Sequence, residues 1–252
     1  MNRTLWTEHL TPFRAPAWPC PRCKRQSLKL VPKCIQAHET ATSVRDRSNA
    51  DWDQYWISKL FCGWLRCPDS RCAETVAVTG VGGPQECIDP DGDVSWEDEF
   101  RPLFAHPMPD MFELPASCPK LVAQELRASF SLYWSDQPGS ANRLRRAIER
   151  LLDHVGVKKR ALSAKRRMEQ LTLHARIVEY QKKEPEIAKH LLALKWLGNS
   201  GSHDGVVNGP ELLDAMEVAE HCLAEILSHR SKRIGALASQ ITKAHAPRRR
   251  RR

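Results

Sequence analysis

Six of this chain's nine cysteines fall between Cys20 and Cys72, and their spacing constrains the fold more than any other feature. Pro19-Cys20-Pro21-Arg22-Cys23 is a C-x2-C pair whose tight turn points both thiolates at one ion. Cys67-Pro68-Asp69-Ser70-Arg71-Cys72 is a C-x4-C pair with Pro and small polar residues in its turn. Both spacings suit zinc ligands, and two such pairs separated by strand-forming chain describe a four-thiolate zinc ribbon. Four thiolates leave no position for water, so the expected metal is a structural zinc on Cys20, Cys23, Cys67 and Cys72. Cys62 competes with Cys67 as a ligand. It lies in Trp56–Leu65, which alternates like a strand running into the second pair, and reads as a buried strand residue. Cys34, Cys87, Cys118 and Cys222 read as small apolar fillers.

The opening stretch, MNRTLWTEHLTPFRAPAW, lacks the apolar segment of a secretory signal, and no apolar run reaches the length of a membrane span. The cysteines therefore point to a reducing, cytoplasmic setting, to metal rather than disulfides, and to no membrane partner. With 41% hydrophobic and 27% charged residues, the chain is neither disordered nor fibrous. No motif indicates a small-molecule cofactor.

Residues Glu74 to Gly83 read as a β-strand closed by a Gly-rich turn. Gly80, Gly82 and Gly83 do not make a phosphate loop, because no Lys-Ser/Thr and no helix signal follow. Residues 84–119, rich in Pro, Asp and Glu, read as connecting chain. Beyond them the period becomes helical. Helices are expected over 119–134 (Leu121, Val122, Leu126, Phe130, Tyr133 inward), 139–155 (Leu144, Ile148, Leu151, Leu152, Val155) and 166–182. Two more are expected, one starting at Pro185 and one near Pro210. The expected fold is α+β: a small amino-terminal β-rich zinc ribbon, then an α-helical bundle of about five helices. The division is 1–100 zinc-ribbon module, 101–118 Pro-rich connection, 119–230 helical bundle and 231–252 basic, disordered tail.

The net charge of +9 is unevenly placed. Residues 1–100 carry 12 basic and 14 acidic side chains, and residues 101–252 carry 27 and 16. Arg248, Arg249, Arg250, Arg251 and Arg252 form a run that repels itself and stays solvated, and such a run binds phosphates by counterion release. A second cluster, Lys158, Lys159, Arg160, Lys165, Arg166 and Arg167, lies between two helical patterns. It reads as a solvated linker face and as a second place for nucleic acid.

Lys195-Trp196-Leu197-Gly198-Asn199-Ser200-Gly201-Ser202-His203 is the most informative polar stretch of the helical half. Gly198 reads as the end of a helix, and Gly198 to Gly205 as a loop. Within it, His203 beside Asp204 has acid–base chemistry near neutral pH, or hydrogen-bonds neighbouring helices.

This stretch, with Leu114-Pro115, the helix Ala141 to Glu149 and the closing helix after Leu212, resembles domain of unknown function 4145. The two cysteine pairs and the strand after them resemble the zinc-ribbon start that often precedes that domain. The resemblance covers about residues 15–230. It implies a mostly bacterial family similar to helical domains of the HEPN superfamily, some of whose members are fused to nucleic-acid-handling modules. Active HEPN proteins carry an Arg, then four to six residues, then a His. Here those positions are Trp196, Leu197 and Gly198, and Lys195 lies one too far. Arg145 or Arg146 would have to supply the charge, although Arg145 with Glu149 also forms an i,i+4 ion pair.

Three readings follow. The first is a non-catalytic binding or regulatory module with structural zinc, tied to nucleic-acid processing or phage defence. The second is a metal-independent ribonuclease using His203, with Asn199, Arg145 and Arg146 as further catalytic candidates. The third is a protein-binding adaptor or homodimerisation module.

Overall fold

In the computed structural model the described residues are 1–88, 91–162, 166–200, 207–228 and 230–245, with backbone alone described at 197–200 and 230–232. The first half holds α1 (Thr4–Thr7), β1 (Lys29–Leu30), β2 (Gln36–Glu39), α2 (Ala41–Asp46), a 3-10 turn (Gln54–Trp56), β3 (Lys59–Arg66), β4 (Thr75–Ile88) and β5 (Val94–His106). These strands form one antiparallel sheet in the order β1-β3-β4-β5, with β2 also paired to β3. Alternation along β3 sends Phe61 and Leu65 inward and Leu60, Cys62 and Trp64 outward. Phe61 stacks on Phe100 at 4.7 Å, within a core that includes Leu10, Leu28, Val76 and Val78.

The chain from 84 to 106 is not connecting chain but most of a long β4–β5 hairpin. Gly80, Gly82 and Gly83 lie inside β4 and make no turn. A Cβ on Gly80 would overlap the Arg101 carbonyl oxygen, and one on Gly82 the Glu99 carbonyl oxygen. Glycine is needed there for close backbone approach and not for a reversal of direction. The register shifts at Thr79/Gly80: Thr79 opposes Phe104 and Gly80 opposes Pro102, which leaves Leu103 as the bulged residue. Pro102 sits where the ladder is already broken, so its missing N–H does no harm.

The second half holds α3 (Lys120–Leu132), α4 (Gln137–His154), β6 (Arg160–Leu162), β7 (Met168–Gln170), α5 (Leu173–Gln181), α6 (Pro185–Ser200), α7 (Gly209–Ser228) and α8 (Arg230–His245). The α+β class is as expected, and five of these helices lie within 119–230. Val122, Leu126 and Phe130 of α3 and Tyr133 just after it are buried, whereas Leu121 is 57% exposed. The helix expected over 166–182 is shorter: β6 and β7 form a small hairpin, and Thr172 caps α5 by accepting from the Ala175 N–H at 3.2 Å. Residues 231–245, expected within a disordered tail, are helical in α8, with side chains exposed from Arg233 to His245. No helix among the described residues is long and apolar enough to cross a membrane.

The halves share one core. Trp18 lies 5.1 Å from Trp134 and 6.2 Å from Trp6, stacked on the latter, and the Trp134 indole N–H donates to the Trp6 carbonyl at 3.2 Å. Asp110, buried between them, takes Lys24 at 2.8 Å and Arg127 of α3 at 3.2 Å.

Candidate metal centre

Each cysteine pair rides on a turn that the backbone closes. In the first, the Cys20 N–H donates to the Gln26 carbonyl at 2.8 Å and the Lys24 N–H to the Cys20 carbonyl at 3.0 Å. In the second, the Cys67 N–H donates to the Glu74 carbonyl at 2.8 Å, while the Cys72 and Ala73 N–H groups donate to the Asp69 carbonyl at 3.0 and 2.8 Å. The Asp69 side chain also accepts from the Arg71 N–H at 2.9 Å. The second turn joins β3 to β4, and β1 pairs with the end of β3, so the sheet register brings the two turns face to face.

The result is a cluster of Cys20, Cys23, Cys67 and Cys72 whose sulfurs all lie within 4.8 Å of one another. The Sγ of Cys20 is 3.6 Å from that of Cys72, and Cys23 is 3.8 Å from Cys67. These separations exceed any disulfide and leave room for one ion between four sulfurs. Burial raises the Cys20 thiol and pushes Cys67 up to about 12, while the backbone N–H of Arg25 pulls Cys23 down to about 6. A cation among the sulfurs would favour the thiolate form that burial opposes.

The other cysteines stand apart. Cys62 is on β3, opposite Thr79, and it is exposed rather than buried as the strand pattern suggested. Cys34 is not simple filling: its thiol donates to the Trp64 carbonyl at 3.2 Å and accepts the Trp64 N–H at 3.1 Å. Cys222 is buried in α7, and burial pushes it up to about 12.

Among the described residues, the charged and polar candidates are dispersed. Arg146 pairs with Glu125 of α3 at 3.0 Å, and Arg145 lies 3.7 Å from Glu149, so both arginines offered to a phosphate already face carboxylates. Gly198 does not end α6, which continues through Asn199 to Ser200. The side chain of Asn199, His203 and Arg248 to Arg252 lie outside the described residues. Lys159 pairs with Asp153 at 2.8 Å, and Arg160 opens β6. Sequence reasoning missed Asp110, whose role depends on two cations from distant parts of the chain and leaves no local pattern.

No curated protein and no solved structure matches the chain. Residues 8–108, which span both cysteine pairs and the whole five-stranded sheet, match the family described as Domain of unknown function (DUF8608), and residues 127–245 match the one described as Domain of unknown function (DUF4145).

Proposed function

We propose that this protein is a non-catalytic nucleic-acid-binding module whose amino-terminal half is built around a structural zinc. Zinc is favoured by the donor set and its dimensions. A Zn–S bond of about 2.3 Å in a tetrahedron puts neighbouring sulfurs about 3.8 Å apart, against 3.6 and 3.8 Å here. A closed four-sulfur shell offers no place for substrate, so the metal's work is to hold the sheet and its turns together. Nine cysteines, four of them gathered as metal ligands would be, fit a cytoplasmic setting.

One observation carries the nucleic-acid reading. The nine Lys and Arg between Arg230 and Arg252 meet no Asp or Glu in that stretch, which therefore equals the chain's whole net charge of +9. Helix α8 carries the first part of it, with Arg233 and Lys243 exposed. Such a cationic segment binds phosphates without sequence preference and with steep salt dependence. Replacing Arg248 to Arg252 with Gln should weaken binding to any oligonucleotide and lower its log–log salt slope by roughly 4 on duplex DNA. Absence of binding to RNA and DNA at low salt would overturn the reading.

A protein-docking role has one observation behind it: Ile234, Leu237 and Ile241, 51, 48 and 64% exposed, share one face of α8. Light scattering on the native protein and an Ile234→Ser/Ile241→Ser variant would reveal a dimer held by that face.

A further inference from the structure

The outward face of the β-sheet is unlike the rest of its half. Along β3 it exposes Leu60 and Trp64, 57 and 51%, and on β5 Phe104, 53%. The register aligns them in rows. Trp64 faces Ala77, which faces His106, and Cys62 faces Thr79, which faces Phe104. In these two rows the middle strand presents Ala77 and Thr79, small floors between walls on β3 and β5. The walls stand about 9–10 Å apart at the backbone, twice the strand spacing. The resulting groove has a volume of about 190 Å³ and is lined by Cys62, Trp64, Ala77, Thr79, Phe104 and His106.

The charge of this face is equally specific. The row beyond Phe104 places His38, Leu60, Val81 and Arg101 side by side, and the row beyond Trp64 places Lys29 opposite Arg66. No Asp or Glu occupies an outward position in these four rows, although residues 1–100 carry more acids than bases. Lys29, Arg66 and Arg101 thus stand around the exposed aromatic residues, and the next outward residue of β5 beyond Arg101 is Glu99, at the margin of this face. Exposed aromatic residues flanked by cations complement a strand of unstacked bases with its phosphates. A duplex does not fit this arrangement, because its base faces are hidden and only its edges are open in the grooves.

We propose that this sheet face is a stacking platform for single-stranded nucleic acid. Trp64 and Phe104 take bases across the groove, and Lys29, Arg66 and Arg101 meet the phosphates. The proposal rests on the nucleic-acid reading above and names the form of nucleic acid and the surface that distinguishes it.

The test is fluorescence anisotropy of the full-length protein with a labelled twelve-residue oligothymidylate and with a labelled duplex of equal length. Trp64→Ala and Phe104→Ala should each weaken the single strand by about 5- to 100-fold and leave the duplex nearly unchanged. Trp64→Phe should restore most of the loss. Arg101→Gln should lower the single-strand salt slope by about 0.7. Metal content and melting temperature equal to those of the native protein verify that each variant is folded, as expected for side chains outside the core. Unchanged single-strand binding by the folded double variant would overturn the platform. If the Arg248–Arg252 replacement still weakened both probes, the nucleic-acid reading would survive that loss. Binding of neither probe by the native protein at low salt would overturn both. A self-associated protein dispersed by Trp64→Ala, with oligonucleotide affinity unchanged, would reassign the face to protein contact and also overturn the platform.

Discussion

Ala73 carries a φ of 46° and Lys24 one of 59°, and each directly follows the second cysteine of its pair. A left-handed residue with a Cβ costs about 1–2 kcal/mol, and here it lets the chain turn away once both thiolates are placed. Ala73→Gly should therefore raise unfolding free energy by up to about 1 kcal/mol in a denaturant titration, and Ala73→Val should lower it. Asp110 is a second key residue, since its carboxylate joins the first metal turn to α3 through Lys24 and Arg127. Asp110→Ala should destabilise the protein by about 2 kcal/mol, measured the same way. Spacing alone did not exclude Cys62, because Cys62 and Cys67 repeat the C-x4-C interval of Cys67 and Cys72. Strand parity decides it: Cys62 shares the outward side of β3 with Leu60 and Trp64, while Cys67 lies past the strand's end where the turn begins.

Among the elements, α4 and α5 are joined by a buried arginine. The Arg176 guanidinium reaches Asp153 at 2.7 Å and the Val157 carbonyl at 3.3 Å, and Lys159 takes the other oxygen of Asp153 at 2.8 Å. Burial alone would raise Asp153, but hydrogen bonds from Lys159 and Arg176 outweigh it and hold the carboxyl below its ordinary range. The stability it contributes is present above the unfolded value, about pH 4, and is lost as pH falls through the lower folded value. Asp153→Ala should cost about 3 kcal/mol at neutral pH by leaving Arg176 buried and unpaired, with the difference from the native protein shrinking in acid. Helices with regular stripes, such as α3, α4 and α7, were legible because their period is local. The β4–β5 hairpin was not, since Gly80, Gly82, Gly83, Pro84 and Pro102 all read as turn signals. Their true setting is a bulged, closely packed ladder, which depends on the opposite strand. The stacking face escaped notice for a related reason: Leu60, Phe61, Trp64 and Leu65 are apolar on both sides of β3, which suggests burial of both. Helix α8 was hidden by the charge run that follows it.

At the scale of the whole molecule, the stacked pair Trp6 and Trp18 meets Trp134 across the two halves, and Trp18 lies two positions before Cys20. Sheet and helices should therefore melt in one cooperative transition by both near- and far-ultraviolet dichroism, and a chelator should lower that single midpoint instead of splitting it. Two separated transitions would mean that the tryptophan contact does not couple the halves. Charge is divided differently from structure: everything before Arg230 is balanced, and the excess lies in α8 and the residues after it. The most direct measurement is the zinc content of purified native protein beside Cys62→Ser and Cys72→Ser variants. About one zinc per chain in the native protein and in Cys62→Ser, with loss of metal in Cys72→Ser, is the expected result. Full metal in Cys72→Ser, or none in the native protein, would contradict a four-thiolate centre at Cys20, Cys23, Cys67 and Cys72.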